Sequence, residues 1–271
     1  MERVMLEQAI DFKEESDSLF NALMNCDNAD YNSKTQFKSW TINDVLYHLH
    51  VWNIAASLSL NNENEFKKFM NNFMRTVKSG VTARKYEKEL SEKKDGKDLL
   101  NLWKNTYEKV AKEFAESNPK KRVKWAGPDM SVRSSITARL METWSHGQEV
   151  FDELGVIRTN TDRIKNIVII GINTFGWTFI NRGLEVPNLV PNIKLSSPSN
   201  QIWEWNENNK DNIIIGKAEE FCQVVTQVRN IEDTKLDVSR NIAEKWMSIA
   251  QCFAGPPEEP PKKGLRFTRN I

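Results

Sequence analysis

The sequence predicts a mostly helical chain that ends in a smaller α+β unit, and three observations carry that prediction. Up to about residue 183, apolar residues recur at helical spacing in one segment after another. After the prolines Pro187 and Pro191, short alternating runs replace them. Those runs are separated by Pro, Ser, Asn and Asp, the residues of turns. The expected organisation is therefore a helical part over residues 1–185, closed by a connecting helix at 161–183, and an α+β domain over 186–271.

In chain order, Val4, Ile10, Phe12, Leu19, Phe20 and Leu23 space a first helix over Met1 to about Met24. The Asn- and Asp-rich stretch after Cys26 reads as a loop. Thr41 then begins a second helix: it can cap, Asp44 stands at the third position of a capping box, and Trp40 with Val45 can close a hydrophobic staple. On this helix His48 falls beside Val45 and Trp52, whereas His50 is turned about 200° away at roughly 100° per residue. Residues 63–91 are charged and helix-permissive but broken at Ser79-Gly80. Leu99, Leu102, Trp103, Tyr107, Val110 and Phe114 line one side of the next helix, Asp95 to about Ser117. Pro119, Gly127 and Pro128 make the following stretch a loop, and its basic run Lys120–Lys124 reads as solvated rather than as an anion site.

Ser131 to Leu154 is a further helix with Gly155 placed to cap it, and Thr161 to Arg182 is another, ended by Gly183. Beyond the composition change, I-K-L-S-S-P and Q-I-W-E-W-N predict a hairpin and N-I-I-I-G-K a third strand. E-E-F-C-Q-V-V-T-Q-V and A-E-K-W-M-S-I-A-Q-C-F have helical spacing, and the tail G-P-P-E-E-P-P-K-K-G is expected to be extended.

Several function classes are disfavoured by composition. Lys and Arg number 38 against 37 Asp and Glu, so no net field favours nucleic acid or an anionic membrane. Three scattered cysteines suggest neither a disulfide framework nor a thiolate metal site, and fit a reducing cytoplasm. The acidic start of the chain is not a signal sequence, and no stretch approaches about 18 uninterrupted apolar residues, so a soluble, unprocessed protein is expected.

The chemistry concentrates in M-E-T-W-S-H-G-Q, residues 141–148. On a helix, Glu142 and His146 point the same way. Two ligands do not hold a transition ion, and the chain has only two other histidines, both on the Thr41 helix, so a third ligand would come from His48. A second explanation stands beside this one: Ser135, Arg139, Glu142, His146 and Glu149 form a stripe that an ordinary solvent-facing helix also carries. Arg139 lies one turn before Glu142, where it could hold a substrate carboxylate or phosphate or simply pair with Glu142. Gln148 points elsewhere, and Trp52 reads as pocket wall or core.

W-T-I-N-D-V-L-Y-H-L, an E-x-x-x-H on a later helix and a C-terminal α+β part together resemble the DinB-like metalloprotein superfamily, in particular its mycothiol-dependent maleylpyruvate isomerase branch. M-S-V-R-S-S-I-T-A-R-L-M-E-T-W-S-H-G-Q-E-V-F-D-E-L-G and A-Q-C-F-A-G-P-P are similar to a largely uncharacterised group of bacterial metal-binding proteins within it. The resemblance implies a DinB-like four-helix bundle followed by a sterol-carrier-like α+β domain. It implies a divalent metal, usually zinc, on His48, Glu142 and His146, and a low-molecular-weight thiol as cosubstrate. The function it implies is a metal-dependent thiol transferase or isomerase acting on a small electrophile in the cytoplasm. The alternative is a non-catalytic metal-binding protein whose C-terminal domain takes an apolar ligand or a protein partner. Neither nucleic acid nor membrane is an expected partner, and the oligomeric state stays open.

Overall fold

In a computed structural model that describes residues 5–270, the chain divides between Leu154 and Gly155 into two units. Val4, assigned from the sequence to the first helix, lies outside the described residues.

The first unit contains α1 (Glu7–Leu23), α2 (Asn28–Asn32), α3 (Ile42–Asn61), α4 (Glu63–Lys78), α5 (Ala83–Leu90), α6 (Gly96–Ala115), the two-residue strands β1 (Arg122–Val123) and β2 (Met130–Ser131), and α7 (Val132–Glu153). The start of α3 follows from its capping box: Thr41 Oγ1 accepts from Asp44 N at 3.1 Å, and Asp44 Oδ2 accepts from Thr41 N at 2.9 Å. Ser131 caps α7 through Ser134 N, and Gly155, at φ +63°, turns the chain out of it. α1, α3, α6 and α7 pack on one another around a shared core of Phe12, Leu19, Val45, Leu49, Trp103, Tyr107, Phe114, Ile136 and Leu140. Burial of each large apolar side chain there contributes about 1.5–3 kcal/mol. Two core tyrosine hydroxyls are satisfied: Tyr31 donates to Leu23 O at 2.8 Å and Tyr107 to Asp17 Oδ1 at 2.8 Å.

Two stretches expected as loops are structured. Asp27 and Asp30 form a reciprocal capping box that starts α2, so the acidic residues that break helices locally here begin one. Arg122–Val123 pairs with Met130–Ser131 across the turn that Gly127 and Pro128 impose.

The second unit holds a 3-10 turn (Asp162–Ile164), α8 (Lys165–Asn173), α9 (Phe175–Ile180), β3 (Asn192–Ser196), β4 (Ile202–Trp205), β5 (Ile213–Lys217), α10 (Ala218–Val225), β6 (Asp237–Ser239) and α11 (Asn241–Ile249). The expected single helix at 161–183 is broken at Thr174, whose hydroxyl bonds back to Ile170 O at 2.8 Å. The boundary also differs from the expected 185/186. α8 and α9 pack on α10 and α11, with the Phe175 and Trp246 rings 5.0 Å apart and Gly171 seated against Phe221 and Val225, so these helices belong with the sheet. The sheet runs β4-β3-β5-β6: β3 and β4 form the expected hairpin, β5 joins β3 in parallel, and the unforeseen β6 pairs with β5. Ile193, Leu195 and Ile214 form its buried face. The proline-rich tail is extended but held: Gln251 Oε1 accepts from Glu258 N at 2.9 Å, and Asn230 Nδ2 donates to Pro261 O at 2.8 Å. Among the described residues, no helix is long and apolar enough to cross a membrane.

Candidate metal centre

Four-residue spacing places His48 and Trp52 on one face of α3, and Glu142 and His146 on one face of α7. Because α3 and α7 pack together, the two faces meet. Nε2 of His48 lies 3.5 Å from Glu142 Oε2, and Nε2 of His146 lies 3.4 Å from the same oxygen. One ligand atom from each residue falls within 4.8 Å of the other two, the only such group of three or more among the described residues. Two imidazole nitrogens and a carboxylate oxygen converging from two rigid helices fit a divalent cation. The three side chains keep 18, 23 and 12% of their surface, so the cluster can be reached.

Aromatic rings build the walls. Trp40 stacks on His146 with ring planes 3° apart and centroids 5.5 Å apart, and Phe37 meets the same imidazole edge-on at 5.2 Å. Trp52 stands 6.1 Å from His48 and continues outward into Phe69, Phe73 and Trp125.

A fourth residue, Glu87 of α5, was not foreseen. Its Oε1 lies 3.0 Å from both His48 Nδ1 and Trp52 Nε1, and the residue is 1% exposed. Nothing in R-K-Y-E-K-E-L distinguishes Glu87 from the solvated Glu89, so no local signal could have found it.

The charges form one coupled group. Burial opposes a proton on His48, but Glu87 and then Glu142 overcome it and raise the imidazole to about 9. Burial alone would raise the Glu142 carboxyl, yet its bonds to His146 and His48 hold it well below the usual carboxylate range. His146 is lowered by burial, and the neighbouring His48 charge adds to that.

The other singled-out residues separate cleanly. Arg139 is not on a solvent-facing stripe: it is 2% exposed, its Nε donates to Asn53 Oδ1 at 2.9 Å, and its Nη2 is buried without a hydrogen-bond partner. Burial lowers its guanidinium to about 10. Ser135 and Glu149 are buried as well, which removes the ordinary-surface explanation for this face. His50 does turn away from the cluster, but into the α3–α6 contact, where Nδ1 lies 3.0 Å from Thr106 Oγ1. Gln148 donates to Asp152 Oδ1 at 3.0 Å, away from the cluster.

A family model described as the mycothiol maleylpyruvate isomerase N-terminal domain matches residues 12–151, which include His48, Glu142 and His146. Two uncharacterized proteins, from two strains of Mycobacterium tuberculosis, are each 38% identical over 160 residues, 59% of this chain and 62% of theirs. The match thus spans less than two thirds of those relatives' length. Among solved structures, a mycothiol-dependent maleylpyruvate isomerase superposes with a TM-score of 0.55 at 15% identity, covering 86% of this chain and 92% of that one. A point mutant of that enzyme superposes with a TM-score of 0.52 at 15% identity, covering 80 and 87%. At this identity the likeness is one of fold.

Proposed function

Because the chain belongs to the mycothiol maleylpyruvate isomerase N-terminal domain family, we propose that it is a metal-dependent enzyme, a thiol-using isomerase or transferase acting on a small electrophile. The observation that carries this is the convergence of His48 Nε2 and His146 Nε2 on Glu142 Oε2 in a partly exposed, aromatic-walled cluster.

His48, Glu142 and His146 would hold the ion, and zinc is the ion this donor set favours. Zinc held by His48, Glu142 and His146 would lower the pKa of a thiol or water bound to it enough to supply a nucleophile near neutral pH. The chain's own groups do the rest. Trp40 and Phe37 fix the His146 ring and keep water from that side. Arg139, one turn before Glu142 and with Nη2 lacking a hydrogen-bond partner, is assigned the substrate's anion contact, which requires its buried guanidinium to be uncovered when substrate binds. The thiol sulfur bonds to the electrophilic carbon, the thiol proton passes to solvent, and expulsion of the sulfur later restores the free thiol after isomerisation.

We assign α1, α3, α6 and α7 to a DinB-like four-helix bundle, and the second unit to a sterol-carrier-like domain. The three free cysteines fit a cytoplasmic setting, and a small molecule rather than nucleic acid or membrane is the partner.

The test is elemental analysis followed by turnover with thiol and electrophile pairs, mycothiol with maleylpyruvate first. One divalent ion per chain and metal-dependent turnover are expected, with helix content retained on metal removal as judged by far-ultraviolet circular dichroism. Arg139→Met should raise KM for an anionic substrate about tenfold or more, the scale of a lost charged hydrogen bond, with metal content kept. Turnover that persists in verified metal-free protein sinks the catalytic role of the ion. Helix lost together with the metal points instead to a structural ion.

A further inference from the structure

We propose that Glu87 is a positioning residue for the His48 ligand: it fixes which imidazole nitrogen faces Glu142 and His146 and ties that ring to the Trp52 wall. The inference rests on the metal assignment above and concerns how this chain holds its ligand.

A carboxylate accepts hydrogen bonds and donates none, so the 3.0 Å contact between Glu87 Oε1 and His48 Nδ1 places a proton on Nδ1. A neutral imidazole carries one proton, which leaves the Nε2 lone pair for the side where Glu142 lies 3.5 Å away. The same Glu87 oxygen accepts from Trp52 Nε1 at 3.0 Å. His48 and Trp52 are one turn apart on α3, so a single oxygen clamps two neighbouring rings of that helix.

The clamp comes from outside the four long helices. α5 is eight residues long, starts three residues after Gly80 at φ +92°, and packs on α3. Ser91 Oγ donates to Glu87 O at 2.8 Å and steadies the backbone behind the carboxylate. A carboxylate that is 1% exposed, with Oε2 lacking any hydrogen-bond partner, is costly on stability grounds alone. A cation held by His48 would compensate that charge through the ring. Such a carboxylate–histidine arrangement is worth about 10–100-fold in metal affinity.

The experiment measures zinc and cobalt(II) affinity by competition with a chromophoric chelator for the unaltered protein, Glu87→Gln and Glu87→Ala. Thermal unfolding of the metal-free forms and the nitrogen-15 histidine spectrum of the zinc-loaded forms accompany it. Glu87→Gln keeps the shape and an accepting oxygen but loses the charge, so it should fold with a Tm close to that of the parent. Its affinity should fall about tenfold, and Glu87→Ala should lose up to about 100-fold. The His48 signal should report a protonated Nδ1 in the parent and change in both variants. Should Glu87→Ala fail to fold, Glu87→Gln decides alone. Unchanged affinity in Glu87→Gln, with or without a lower Tm, overturns the positioning role and leaves the metal assignment standing. A parent protein that takes up neither ion overturns the metal assignment, and the role of Glu87 with it.

Discussion

α4 and α7 are both rich in charged residues, yet they hold those charges in opposite ways. On α4 only Phe66 is buried, and Lys67 and Lys68 pair in solvent with Glu63 and Glu65 at 2.6 and 2.7 Å. On α7 the charged residues Arg139, Glu149, Asp152 and Glu153 are all buried, and Arg139 reaches across to Asn53 of α3. Exposed pairs contribute little, about 0–1 kcal/mol each. Buried charges are expensive unless partnered, so a helix that keeps them has something for them to hold. The candidate centre sits on the second kind of helix.

The sharpest way to break that contrast is at the candidate ligands. His48→Ala should remove essentially all bound divalent ion, whereas His50→Ala, two residues along the same helix, should stay loaded, because its ring faces Thr106. Inductively coupled plasma analysis of both purified variants decides it, and the reverse pattern would reassign the site.

A mid-sized effect is expected from pH. Burial depresses His50 from 6.5 to about 4 in the folded protein, so the neutral ring is the stabilised form. Its contribution is present above pH 6.5 and is lost as pH falls from there through about 4. The full difference is about 3 kcal/mol at 1.36 kcal/mol per pKa unit. Urea unfolding at pH 7 and pH 4 should therefore show a larger loss for the parent than for His50→Gln. Equal losses would mean that His50 is solvated in solution.

The smallest change should follow Lys68→Ala on α4. Removing one exposed partner of Glu65 should shift unfolding by less than about 0.5 kcal/mol and leave metal content alone. A loss of several kcal/mol would place α4 among the buried helices and erase the comparison.

Much of this was legible in the residues. Thr41 with Asp44, Ser131, Gly155 and Ser79-Gly80 mark helix ends by local hydrogen bonding and backbone preference, and the helices stop where those residues say. The four-residue spacings paired His48 with Trp52 and Glu142 with His146 before any packing was known. Thr174 shows the limit: the helix divides there although its periodicity continues past it. Glu87 shows a deeper one, because a glutamate in a lysine-rich stretch has the same local pattern whether it faces water or a histidine on another helix.

What the sequence determined by itself was the long helices α1, α3, α6 and α7, the switch to strands after Pro191, and the two helix faces that carry His48 with Trp52 and Glu142 with His146, since capping, periodicity and turn chemistry act over a few residues. Only the tertiary structure decided that α3 and α7 bring those faces together, with the clustered atoms within 4.8 Å, that α5 inserts a carboxylate behind His48, that Arg139 is buried, and that α8 and α9 pack on α10 and α11. Each of these depends on contacts between residues far apart in the chain, and burial of a shared apolar core selects them without leaving a mark on the local pattern.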